Sequence, residues 1–221
     1  MQAVIFDFDG VILDSEPQHQ ESFRRLFERH RVPFFETPDD FTGIAARDNI
    51  RRVYQKAGFD LDEGKVEALN HERDELYSVV MQEIGFRTLP GAKELVATLR
   101  AQKIPIALAS STNSSVLEKI LPRIGLERAF DAVVGGDQVA HGKPAPDIFL
   151  KAAEKLGVVP TACVVIEDAN AGVQAANAAG MIVLMVRNDR ILQEKEKADG
   201  FVDSLVGVTW AFLVSLKNCR P

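Results

Sequence analysis

Beyond Leu89-Pro90-Gly91 the chain alternates short, wholly apolar runs with amphipathic helical stripes, and this alternation limits the possible folds more than any other feature. The runs at 104–109, 132–134, 163–166 and 182–186 carry no polar residue. A strand without a polar side must be covered on both faces, as in parallel sheets flanked by helices. Stripes at 93–102, 116–124, 148–156, 173–179 and 191–198 supply those helices, with Pro122 bending or shortening the second. Gly157 and Gly180 stop the third and fourth. Phe201-Val202 follows the last. The expected architecture is α/β, a doubly wound, Rossmann-like parallel-sheet core.

The sheet has an earlier member. Residues 3–6 read as a buried strand that stops at Asp7-Phe8-Asp9-Gly10. No convincing strand follows from Ser15 to about Ile84. Three stripes at helical spacing occupy that stretch. They are Phe23, Leu26 and Phe27, then Ile50, Val53, Tyr54 and Ala57, then Val66, Leu69, Leu76, Val80 and Ile84. Ser15 and Gln18 have the spacing of a capping box, and Asp60 or Asp62 is available to cap the third helix. The block interrupts the sheet after its first strand. The expected division is a core of residues 1–14 and 87–221 with an inserted α-helical cap of residues 15–86.

Net charge is -6 and no basic run is present, which argues against a nucleic-acid surface. No apolar run is long enough to span a bilayer. The chain enters a strand at once, without a basic start or a cleavage-like site, so no signal peptide is expected. Cys163 lies inside an apolar run and reads as a core residue, and Cys219 lies in the tail. A reducing, cytoplasmic setting fits this cysteine usage, and a monomer is the expected state.

In open parallel sheets, ligands bind beyond the carboxyl ends of the strands. The polar residues at those ends are Asp7 and Asp9, Ser110 with Ser111 beside it, and Glu167 with Asp168, while Lys143 follows in Gly142-Lys143-Pro144. Asp7 and Asp9 are alternate residues, so in extended geometry both face one site, and Gly10 lets the backbone turn close to it. Taken singly, each has an ordinary role: aspartates cap turns, serines cap helices, and lysines are solvated. Together, four carboxylates, a hydroxyl and an ammonium suit phosphoryl transfer assisted by Mg²⁺. No clustered His and Cys pattern for zinc and no glycine-rich nucleotide fingerprint is present.

The motifs Asp7-Phe-Asp9-Gly10-Val-Ile-Leu-Asp14-Ser15, Ser110, Gly142-Lys143-Pro144 and Ile166-Glu167-Asp168-Ala169-Asn170-Ala171-Gly172 occur in that order. The chain thereby resembles the haloacid dehalogenase (HAD) superfamily of phosphohydrolases, subfamily I. Its inserted helical cap resembles the branch of β-phosphoglucomutase and related sugar phosphatases. The resemblance implies Asp7 as nucleophile and Asp9 as general acid and base. It implies Ser110 as phosphate ligand and Lys143 as the group that steadies a phosphoaspartate. Mg²⁺ would be held by Asp7, Asp168 and the Asp9 backbone carbonyl, with Glu167 as acidic neighbour. General acid work by Asp9 requires a raised pKa. In the cap, His19, Thr42, Gly43, Ile44 and Arg47 are candidates for contact with the leaving group.

The expected activity is hydrolysis of a small phosphorylated metabolite, a sugar or polyol phosphate. A phosphosugar mutase of the β-phosphoglucomutase type is the alternative. The mutase cap loop resembles a lysine, then glycine, then an arginine three residues on, whereas here Thr42 replaces the lysine and Arg47 follows Gly43 by four. A receiver-type signalling module also phosphorylates an aspartate on a doubly wound sheet, but it has no inserted cap and no use for Asp9.

Overall fold

The structure is a computed structural model, and it describes residues 1–34 and 44–219. Six strands form one sheet: β1 (Ala3–Phe6), β2 (Ile106–Ala109), β3 (Ala132–Val134), β4 (Cys163–Glu167), β5 (Ile182–Val186) and β6 (Gly200–Val202). Their spatial order is β3-β2-β1-β4-β5-β6, and every neighbouring pair is parallel. The chain therefore starts in the middle, builds outward to β3, and then crosses back to build the other half. The reversal falls between β1 and β4, and in open parallel sheets it is at such a reversal that ligands bind, beyond the carboxyl edge.

Helices α1 (Glu16–Arg29), α2 (Ala46–Lys56) and α3 (Glu63–Ile84) precede α4 (Ala92–Ala101), α5 (Ser114–Ile120), α6 (Asp147–Leu156), α7 (Asn170–Ala178) and α8 (Trp210–Ser215). Alternation along the strands sorts their side chains between two faces. Val4, Phe6, Ile106, Leu108, Val164 and Ile166 pack with Leu95 and Leu99 of α4, Leu117 of α5 and Leu213 of α8. Ala3, Ile5, Ala107, Cys163, Val165 and Val183 pack with Phe149 of α6 and Val173 of α7. Every residue of β1, β2, β4 and β5 is buried, as strands without a polar side require.

The helices α1, α2 and α3 enclose a third apolar cluster of their own, built on Phe23, Leu26, Phe27, Ile50, Val53, Tyr54, Leu69 and Leu76. Asp62 caps α3 by accepting from Lys65 N at 2.8 Å. The capping box expected at Ser15 does not form, because Ser15 and Gln18 spend their polar groups elsewhere. Ser15 Oγ donates to Asp9 Oδ1 at 2.5 Å, and Gln18 Nε2 donates to the Gly85 carbonyl at 2.9 Å. The last link fastens the start of the helical block to its end.

Two helices are shorter than their stripes. The one expected over 116–124 ends at Ile120, two residues before Pro122. The one expected over 191–198 is a loop with a single 3₁₀ turn at Lys195–Lys197. There, side chains capture the backbone: Gln193 Oε1 accepts from Asn188 N at 3.0 Å, and Asn170 Oδ1 accepts from Glu194 N at 2.8 Å. The terminal helix α8 was not apparent from the sequence. Among the described residues, no helix is long and apolar enough to cross a membrane.

Candidate active site

The register of the sheet assembles the carboxylates. Phe6 pairs with Ile166, so Asp7 and Glu167 leave adjacent strands side by side, and Asp7 N donates to the Ile166 carbonyl at 2.9 Å. Lys143 reaches in from the loop before α6. Its Nζ donates to Asp7 Oδ1 at 2.7 Å and to Glu167 Oε1 at 2.6 Å. The other oxygen of Glu167 accepts from the backbone N–H groups of Asp168 and Ala169, both at 2.7 Å. Glu167 is thus engaged at both oxygens.

Asp7, Glu167 and Asp168 are buried, and each brings an oxygen within 4.8 Å of the others. Burial raises the Asp7 carboxyl, Lys143 pulls it back, and Glu167 and Asp9 push it up, with a net rise to about 8. Burial, Glu167 and Asp7 also hold Asp168 well above the usual carboxylate range. Three buried carboxylates face one ammonium. That surplus of negative charge, with oxygen ligands only, fits a hard divalent cation.

The backbone is shaped around these groups. Gly10 has φ +76°, and a Cβ there would lie 1.9 Å from Asp168 Oδ2. A Cβ on Gly172 would lie 1.6 Å from Glu167 Oε1. The first glycine is required by conformation and space, the second by space alone.

Asp9 occupies a different setting from Asp7. Its Oδ1 accepts from Ser15 Oγ and from His19 Nε2 at 2.8 Å, and its Oδ2 accepts from Ser110 Oγ at 3.1 Å and Thr112 Oγ1 at 2.9 Å. Arg73, buried in α3, bonds His19 Nδ1. Arginine can only donate, so Nδ1 accepts and Nε2 carries the ring proton toward Asp9. The Arg73 guanidinium lies 4.6 Å from the ring centroids of both Phe23 and Tyr77, and His19 stacks on Tyr77 at 4.4 Å. Burial pushes the Asp9 carboxyl up, but the neighbouring His19 and the hydrogen bonds from His19, Ser15 and Thr112 outweigh it. The group is held below the usual range, which corrects the expectation of a raised pKa. Its neighbours are donors rather than apolar side chains.

One cavity brings these groups together. It is lined by Asp7, Asp9, Gly10, Lys143 and Asp168 from the core, and by His19, Ile44, Arg47, Asn70, Arg73 and Asp74 from the helical block. Ser110 is fully buried behind it, with its Oγ also accepting from Thr112 N at 3.0 Å. Ser111 lines the cavity, and its Oγ has no hydrogen-bond partner among the described residues. Arg47 donates to the Ala140 carbonyl at 2.9 Å, a link between the two parts of the chain. Thr42 and Gly43 lie outside the described residues.

Sequence reasoning missed Arg73, Asp74, Thr112, Asn113 and Asn188. Asn113 Nδ2 donates to Asp74 in the lining of the cavity, and Asn188 Nδ2 donates to Asp168 Oδ2 at 2.7 Å. In the sequence Arg73 and Asp74 are two charges in a charged helix, and nothing there separates them from a solvated face. Thr112 and Asn113 directly follow Ser110 and Ser111, so position just beyond a strand end was the available signal.

Residues 1–180 match the family model described as haloacid dehalogenase-like hydrolase. The chain belongs to that family. It is 36% identical over 183 residues to the phosphorylated carbohydrates phosphatase of Thermotoga maritima, covering 82% of each protein. It is 35% identical over 190 residues to the β-phosphoglucomutase of Bacillus subtilis, covering 84% of this chain and 83% of that one. Among solved structures, CbbY from Rhodobacter sphaeroides in complex with phosphate superposes with a TM-score of 0.87 at 26% identity, covering 97% of this chain and 99% of the other. HAD membership and the sugar-phosphatase and phosphomutase kinship agree with the motif reading, and the fold class agrees as well.

Proposed function

We propose that this HAD hydrolase is a Mg²⁺-dependent phosphatase that hydrolyses a small phosphorylated sugar or polyol through a phosphoaspartate on Asp7. The observation that carries the reading is the buried set of Asp7, Glu167 and Asp168 against the single Lys143 ammonium, opening on a cavity covered by helices. Asp7 attacks phosphorus with the oxygen that Lys143 does not hold, and the sugar alcohol leaves. Asp9 gives that alcohol its proton, then takes a proton from the water that attacks the phosphoaspartate, which releases phosphate and restores Asp7. A phosphate dianion bound beside Asp9 adds like charge and raises its pKa, which prepares it to act as the acid. Lys143 offsets the charge that builds on the phosphoryl oxygens. Ser111 Oγ is free to donate to them, while Ser110 fixes Asp9.

Mg²⁺ would be held by Asp7, Asp168 and the Asp9 backbone carbonyl with Glu167 behind, and it would neutralise the dianion that otherwise repels Asp7. Residues 15–86 act as the cap, and His19, Arg47, Thr42 and Gly43 are its candidate contacts with the leaving group. A cytoplasmic monomer acting on a soluble metabolite completes the reading. The Bacillus subtilis relative supports a second reading, in which the phosphoryl group returns to another hydroxyl of the same sugar.

Phosphate release from a panel of sugar phosphates, polyol phosphates and phosphoglycolate, with Mg²⁺ and with Asp7→Asn alongside, tests the first reading. Asp7-dependent release supports it. Conversion of β-glucose 1-phosphate to glucose 6-phosphate without release supports the second.

A further inference from the structure

The loop after β5 is bound to itself and to Asp168 by side chains that the reaction above does not use. Asn188 Nδ2 donates to Asp168 Oδ2 at 2.7 Å, and its Oδ1 accepts from Arg190 N at 3.0 Å, which fixes the two ends of the amide. Asn188 N donates to Gln193 Oε1 at 3.0 Å. Gln193 Nε2 in turn donates to the Asp168 carbonyl at 2.6 Å and to the Val186 carbonyl at 2.7 Å. A Cβ at Gly10 would lie 1.9 Å from the same oxygen that Asn188 holds, so only glycine leaves room for it there. Asp168 is therefore gripped at its backbone and at Oδ2.

We propose that Asn188 makes the site selective for Mg²⁺ over larger divalent cations, by occupying Asp168 Oδ2 so that the carboxylate offers Oδ1 alone. Mg²⁺ requires near-octahedral geometry with single oxygens at short range, whereas Ca²⁺ takes more ligands at longer range and accepts both oxygens of one carboxylate. A carboxylate with one oxygen already bonded suits the first ion and handicaps the second. Asn188 is on this account a positioning residue that acts through Asp168. The inference rests on the reading that the acidic cluster holds a divalent cation.

The test is to titrate the intact protein with MgCl₂ and, separately, CaCl₂, and to read apparent affinities from the rise in unfolding midpoint. Wild type, Asn188→Ala and Asn188→Ser are compared, the serine variant keeping a turn-forming residue should the alanine variant not fold. The expected result is Mg²⁺ binding weakened about 10–100-fold with Ca²⁺ binding changed far less, so that selectivity falls, each affinity being read relative to the same variant's metal-free midpoint. Equal loss for both ions overturns the proposal, since Asn188 then merely orders the loop, and so does no loss for either. A wild type that binds neither ion overturns the reading beneath it instead.

Discussion

Lys143 Nζ lies 2.7 Å from Asp7 Oδ1, although the residues are 136 positions apart in the chain. The lysine side chain is 1% exposed and shared with Glu167, and among the described residues it is the one ammonium bonded to the cluster of three buried carboxylates. Lys143→Met leaves those carboxylates unpaired. We expect a stability loss of about 3–5 kcal/mol by urea unfolding above about pH 8, where Asp7 is ionised, and a smaller loss at neutral pH, where it holds its proton. Phosphate release should fall by about 10²–10³-fold.

Asp7 also sets a pH dependence. Its carboxyl is raised from 3.8 to about 8, by burial first and then by Glu167 and Asp9, against Lys143. Between those values the folded chain binds more protons than the unfolded chain, so stability falls as pH rises. With a chelator present, the thermal midpoint should decline from about pH 5 to about pH 8, and Mg²⁺ should reduce the decline. Asp7→Asn should flatten part of it. A midpoint that rises over that range in chelator contradicts the assignment.

His19 connects the helical block to Asp9. Its Nε2 is 2.8 Å from Asp9 Oδ1, while Arg73 fixes the other ring nitrogen. His19→Ala should lower kcat by about 10²-fold with little change in KM, because the loss falls on proton transfer. Arg73→Ala should do the same and also destabilise the helices around Phe23 and Tyr77. Steady-state kinetics and thermal midpoints separate the two effects.

Gly172→Ala places a methyl group 1.6 Å from Glu167 Oε1. The carboxylate cannot move without losing Lys143 and two backbone donors. Loss of about 2–4 kcal/mol is expected from the strain and the broken bonds. Gly125→Ala is the contrast: that glycine has open space around it, so the cost there is only that of its φ of +74°.

The sheet was legible because its strands are apolar on both faces, a pattern that elementary packing ties to parallel order. The carboxylates were legible because strand ends converge at one edge. The loop after Val186 was not. Its run of charges has helical spacing, but Asn188, Gln193 and Asn170 supply side-chain bonds that a helix would forgo. The state of Asp9 was misjudged for a related reason. General acid work calls for a raised carboxyl, and only the folded chain brings the donors Ser15, His19 and Thr112 to it. Arg73 lies 54 residues from His19, beyond the reach of any local pattern.

The most direct test of the account is acid quenching during turnover of the preferred sugar phosphate, followed by mass analysis of the peptide that carries Asp7. The account predicts a phosphoryl group on Asp7, labile to hydroxylamine, that is absent from Asp7→Asn along with phosphate release. An unmodified Asp7 in the wild type, with release persisting in Asp7→Asn, would contradict it.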